Sequence, residues 1–164
     1  MRLTTKGRYA VTAALDLAIH YNDGPVNLAA ISERQFISLS YLEQLFAKLR
    51  RADIVKSVRG PGGGYILSQS PSDITIRQII EAVDDSINAN RCRGHRNCRN
   101  GNMCLAHCLW SNLSDHIRSF LGDITLTNVI EDGLRIAEEE QENQTAPTKV
   151  HHMPSSSAIA KTAA

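Results

Sequence analysis

The sequence has no cysteine before position 92 and none after 108, so its thiols are not a set scattered through a core. It has no run of about 18 apolar residues, the length a membrane-crossing helix requires. Its start, Met1 to Lys6, is only lightly basic, and the stretch that follows carries Asp16 and His20 without a clear cleavage site. A signal peptide is therefore not expected, and neither is a membrane partner. The expectation is a cytoplasmic protein, whose thiols stay reduced and open to metal. A nucleotide loop is missing too. Gly60-Pro61-Gly62-Gly63-Gly64 lacks the Gly-Lys-Ser/Thr of a phosphate loop, and the dinucleotide pattern would need glycine at Tyr65 and a helix after it. No nucleophile or acid/base pair with a partner stands near the cysteines, so an enzyme is not expected. His20, His95, His116, His151 and His152 read as surface or tail residues.

The 164 residues suit one domain, or a small domain with an appendage, able to bury a core without disulfides. The net charge of +1 hides an asymmetry. Residues 1–60 carry nine Lys/Arg against five Asp/Glu, whereas residues 61–140 carry seven against eleven. A basic first half in a near-neutral protein fits a face made for a polyanion, although solvated lysines give the same count.

The expected order begins with a helix capped by Thr5 and reaching about Tyr21, with Ala10, Ala14, Leu17 and Ala18 as its apolar stripe. Asn22-Asp23-Gly24-Pro25 stops it. Asn27 caps a short helix over Leu28 to Arg34. After Gln35-Phe36-Ile37, the segment Ser38-Leu39-Ser40 opens a third helix, Tyr41 to Ala52. Two helices across a tight turn, the second polar and basic, read as a helix-turn-helix. Ile54 to Val58 and Tyr65 to Leu67 then form a hairpin with a glycine-filled tip, either a winged-helix wing or an ordinary flexible hairpin. Thr75 and Gln78 form a capping box for a helix through Val83. A long helix follows the cysteine loop to about Leu121, with Leu105, Leu109, Leu113, Ile117 and Phe120 in its stripe. Thr125 caps a last helix bearing Leu126, Val129, Ile130 and Leu134. These stripes are either intrachain core or the seam of a homodimer.

On the third helix, Leu42, Leu45 and Leu49 keep to one face and leave Ser38, Ser40, Tyr41, Glu43, Gln44 and Lys48 for DNA. Hydroxyls and the helix N-terminus suit phosphates, Gln44 suits adenine, and Glu43 can accept from the amino group of cytosine. Glu43 has a second reading, since Ser40-x-x-Glu43 is also a capping box. Arg59 beside the glycine run is placed to enter a narrow minor groove. Arg2, Lys6, Arg8, Arg50 and Arg51 are further phosphate candidates.

Cys92, Cys98, Cys104 and His107 lie within sixteen residues, spaced Cys-x5-Cys-x5-Cys-x2-His. Zinc fingers hold paired ligands two to four residues apart, twice over, and here only the last pair is tight. The spacing suits a larger cluster, with zinc and unligated thiols as alternatives. Arg91, Arg93, Arg96 and Arg99 interleave the ligands and would offset the negative charge of a thiolate-bound iron–sulfur centre. Without iron these arginines repel one another, so cluster loss is expected to loosen the loop.

Four blocks together carry a resemblance: Met1-Arg2-Leu3-Thr4-x-Lys6-Gly7-Arg8-Tyr9-Ala10, Ile37-Ser38-x-Ser40-Tyr41-Leu42-Glu43-Gln44-Leu45, Ser57-Val58-Arg59-Gly60-Pro61-Gly62-Gly63-Gly64-Tyr65, and the Cys92/Cys98/Cys104/His107 set. Over about residues 1–135 the chain resembles the IscR family of iron–sulfur cluster regulators. The resemblance implies a mainly α fold with a small β-hairpin: a winged helix-turn-helix plus a long dimerisation helix. It implies a homodimer that binds double-stranded DNA and takes a 2Fe–2S cluster on three cysteines and a histidine, with the cluster-assembly machinery as donor. The loaded form would repress cluster-assembly genes, and the cluster-free form would bind a second class of sites. Glu43 stands where the family places its site-class discriminator, and Arg59 stands in the wing. Cys108, directly after His107, departs from the family pattern. On a helix it would share a face with Cys104 and compete as a fourth ligand; otherwise it is a helix-packing thiol or a site of oxidation. The expected organisation is 1–84 for DNA binding, 85–139 for the cluster loop and dimerisation helices, and 140–164 as a disordered tail. Rival functions are a nitric-oxide or redox sensor on the same scaffold, a zinc-binding transcription factor, and an electron-transfer or cluster-carrier protein.

Overall fold

The computed structural model describes residues 4–83 and 102–145, with side chains to residue 140. Helices α1 (Thr5–Ile19), α2 (Leu28–Gln35) and α3 (Leu39–Arg51) come first. Strands β1 (Val55–Val58) and β2 (Gly64–Leu67) follow, then α4 (Ile76–Val83), α5 (His107–Asp123) and α6 (Leu126–Thr145). The fold is mainly helical with one antiparallel hairpin, in which Val55 faces Leu67 and Val58 faces Gly64.

Local capping sets most helix starts. Asn27 accepts from the Ala30 N–H at 2.7 Å. Thr75 and Gln78 bond reciprocally, as do Thr125 and Asn128. The first cap is Thr4 rather than Thr5: the Thr4 hydroxyl accepts from the Gly7 N–H at 3.2 Å, and Thr5 is already helical. Helix α6 runs to Thr145, beyond the point at which the sequence reading begins a tail. Glutamates and glutamines, good helix formers, carry it on.

The α1 stripe is buried as expected, with Ala13 added, and shares one core with Ile31, Leu42, Phe46, Ile79, Ile80 and Val83. Leu126 belongs to the same core, and Val129 and Ile130 lean on it. The apolar interior therefore continues past residue 84 into α6. Backbone pairing reinforces this, since Ile76 N–H donates to Ile124 O at 2.9 Å and Leu126 N–H to Ile74 O at 3.0 Å.

Phe36, between α2 and α3, adopts φ 54° in the left-handed region. That conformation costs a side-chain-bearing residue about 1–2 kcal/mol. It ends α2 and starts the short connection to α3.

Candidate nucleic-acid interface and metal-ligand turn

Helix α3 carries the residues expected to meet DNA. Leu42, Leu45, Phe46 and Leu49 are buried, which fixes the opposite face outward. Ser38, Ser40, Glu43 and Gln44 are exposed there. The helix starts at Leu39 with Ser38 at the N-cap, and Tyr41 N–H and Leu42 N–H donate to the Ser38 carbonyl at 3.1 and 3.0 Å. The Ser38 hydroxyl makes no capping bond. A Ser40–Glu43 capping box is thereby ruled out, because Ser40 already lies inside the helix. Glu43 points from the second turn with its carboxylate exposed.

Tyr41 is half-buried, its ring edge-on to Tyr9 with centroids 5.8 Å apart. Lys48 is half-buried too, and its Nζ donates to the Val83 carbonyl at 2.9 Å. This ammonium caps the C-terminal end of α4, where the exposed carbonyls carry partial negative charge. Lys6, Arg8, Arg50 and Arg51 are exposed. Arg2 lies outside the described residues.

The wing tip, with Arg59 exposed, depends on two kinds of glycine. Gly60 and Gly62 have φ of 116° and 76°, which side chains resist. Gly64 serves close approach: a Cβ there would collide with the Val26 carbonyl and stand 2.8 Å from the Asn27 nitrogen. The reason is a bridge missed in the sequence. Val26 N–H donates to Tyr65 O at 2.9 Å and Tyr65 N–H to Val26 O at 2.8 Å, joining the loop before α2 to the wing. Tyr65 then packs edge-on against Phe46, centroids 4.8 Å apart.

A second missed feature braces α1 against the end of α2. Asp16 is 2% exposed. It accepts from Arg34 Nη2 at 2.5 Å and Nε at 3.0 Å, and from Gln35 Nε2 at 2.8 Å. Burial pushes its carboxyl up, but the hydrogen bonds from Arg34 and Gln35, with the charges of Arg34 and His20, outweigh it and hold it below its ordinary 3.8. The bond to Asp16 in turn raises the Arg34 guanidinium. The signal available in the sequence was a lone carboxylate on an otherwise apolar helix face.

Of the metal-ligand set, Cys104 and His107 are described, whereas Cys92 and Cys98 lie outside the described residues, as do the four interleaving arginines and His95. Helix α5 starts at His107, so Cys104 stands in the turn before it rather than on the helix. The His107 N–H donates to the Cys104 carbonyl at 3.0 Å, which folds thiol and imidazole into one turn. Cys104 is half-buried and the His107 side chain buried, while Cys108 is exposed. The shared helical face expected for Cys104 and Cys108 is thus not formed, and among the described residues Cys108 is not part of the hydrophobic core. Among the described residues, no group of three or more potential metal ligands is assembled.

The model of the Rrf2 family, described as an iron-dependent transcriptional regulator, matches residues 3–132. The chain belongs to the Rrf2 family. It is 57% identical over 150 residues to the HTH-type transcriptional regulator IscR of Yersinia pseudotuberculosis, covering 90% of this chain and 91% of that one. Among solved structures, IscR of T. potens is similar at TM-score 0.67 and 36% identity, over 93% of this chain and 97% of that one. CymR, the global cysteine regulator of B. subtilis, is similar at TM-score 0.68 and 32% identity, over 79% and 95% of the two chains. This Rrf2 member is therefore an IscR-type helix-turn-helix transcriptional regulator, and its hairpin is the wing of a winged helix. No described helix is long and apolar enough to cross a membrane.

Proposed function

We propose that this regulator senses a 2Fe–2S cluster through Cys92, Cys98, Cys104 and His107, and that the loaded form represses cluster-assembly genes. The observation that carries the reading is the Cys104–His107 turn, closed by the backbone bond between them, which brings a half-buried cysteine and a buried histidine to the start of α5. The donor set fits: three soft thiolates and one imidazole suit an iron–sulfur centre whose surplus negative charge four nearby arginines offset. When bound, the cluster supplies a one-electron centre that iron shortage or oxidants can remove.

The protein's residues do the rest. Ser38, Ser40, Tyr41 and Gln44, with Lys6, Arg8 and Arg2 on α1 and its approach, meet phosphates and base edges, and Arg59 enters the minor groove. Lys48 has one donor committed to Val83 and keeps two for a phosphate. Glu43 penalises sites that offer no amino donor, so it separates two classes of site. The cluster-free form binds the second class. The homodimer forms on α5, whose Leu109, Trp110, Leu113 and Phe120 are all exposed in the single chain. Cluster-assembly proteins are the donors.

The test is anaerobic purification with visible spectroscopy and iron and sulfide counts, then selection of DNA from a randomised pool before and after chelation. About two irons and two sulfides per chain, with a changed site preference on chelation, support the reading. Zinc in their place, or DNA selection indifferent to chelation, would overturn it. Cluster destruction by low doses of nitric oxide, with indifference to cluster supply, would shift the reading to a nitric-oxide sensor.

A further inference from the structure

Phe36 is 94% exposed and holds φ 54°. Either feature alone is an unfavourable place for an aromatic. Left-handed backbone favours glycine, and a ring in water gains nothing from its apolar area. Glycine at this position would relieve both.

The residues on either side show that the turn carrying the ring is anchored. Gln35 Nε2 is fixed to Asp16 Oδ2 at 2.8 Å. On the other side Ile37 is 3% exposed, and its carbonyl accepts from the Ser32 hydroxyl at 2.6 Å. The turn is anchored before and after Phe36, so the cost of ordering its backbone is met by the fold itself.

Its position names the occupant. Phe36 stands two residues ahead of Ser38, and the exposed Ser38, Leu39, Ser40, Glu43 and Gln44 continue from it along the start of α3. What covers the N-terminus of a recognition helix in a DNA-binding regulator is the major groove and its wall. A groove wall offers an aromatic ring two apolar surfaces, the thymine methyl and the deoxyribose edge. The geometry points to Phe36 as a DNA-contacting residue, an apolar plug at the turn of the helix-turn-helix. It adds an uncharged contact to the polar set on α3, and it rests on the reading of α3 as the recognition helix.

The experiment uses the full-length protein and a duplex that the wild type selects from a randomised pool. Affinity is measured over a salt series for wild type, Phe36→Gly and Phe36→Tyr, with thermal melting and sedimentation of each. Phe36→Gly should melt no lower than wild type, yet bind the selected duplex about tenfold more weakly with an unchanged salt slope, as loss of an uncharged contact requires. Phe36→Tyr should stay within about twofold. Replacing thymine by uracil in the duplex separates the two apolar surfaces. If the methyl is the partner, wild type weakens and Phe36→Gly does not weaken further; if the sugar is, both are indifferent. Equal affinity of Phe36→Gly and wild type would overturn the inference. So would a lower melting temperature or loss of fold in Phe36→Gly, which would make the ring structural. A change in self-association with DNA affinity intact would assign the ring to a second copy of the chain. A wild type that selects no duplex would remove the recognition-helix reading itself, and this inference with it.

Discussion

Lys48 on α3 ties itself to Val83, the last residue of α4, by a 2.9 Å bond from its ammonium to the backbone carbonyl. Nine positions later in the chain stands Cys92. The helix expected to read DNA and the helix that leads into the cysteine segment are thus joined by a charge-assisted bond between the last turn of α3 and the end of α4. Lys48→Met is expected to lower stability by about 1 kcal/mol, and Lys48→Arg to restore most of it. A salt series separates the lysine's two roles. If Lys48 also meets a phosphate, the salt slope of DNA binding falls by about one in Lys48→Met; if it only caps α4, the slope stays.

The Asp16 brace predicts a pH signature. Asp16→Asn leaves an amide hydrogen facing the Arg34 and Gln35 donors, and unfolding in urea should show a loss of about 2 kcal/mol near neutral pH. The folded-state pKa of Asp16 lies below its ordinary 3.8, so its contribution is present above that value and is lost as pH falls through the folded pKa. The gap between wild type and Asp16→Asn should therefore narrow as pH falls below 3.8, and a gap constant with pH would show that the carboxylate charge contributes nothing.

His107 and Cys108 are neighbours with opposite exposure, and ligand substitution should separate them. His107→Ala should yield protein that loses its visible absorbance and iron on purification. Cys108→Ala should keep both. A colourless Cys108→Ala beside a coloured His107→Ala would make Cys108 the ligand.

Gly64→Ala tests the bridge under the wing. Its Cβ would collide with backbone at Val26 and Asn27, not with a flexible side chain that could move aside. Stability should fall by about 2 kcal/mol, and amide protection at Val26 and Tyr65 should fall with it. Gly60→Ala, strained by its φ of 116° but with nothing within 4 Å of the added carbon, should leave Val26 and Tyr65 protected.

Several elements were legible because their causes lie within three or four residues. Asn27, the Thr75–Gln78 box and Thr125 announce helix starts, since each cap side chain accepts from an amide three positions on. Leu42, Leu45 and Leu49 mark the buried face of α3 through spacing alone. The same local logic misjudged Ser40–Glu43: a capping box needs its serine at the N-cap, and packing started the helix two residues earlier. It also carried α5 back over Cys104, which stands in the preceding turn.

By itself, then, the sequence determined the helix caps, the apolar faces, the glycines of the wing and the crowding of thiols with His107, because each is written in neighbouring residues. Tertiary structure decided the rest: Asp16 against Arg34, Lys48 on Val83, Val26 beside Tyr65, and Phe36 held in solvent on an anchored turn. Those relationships join residues up to 39 positions apart or depend on what fails to pack. They exist only once burial of one continuous core, from Ala10 to Leu126, has set the helices at fixed angles to one another.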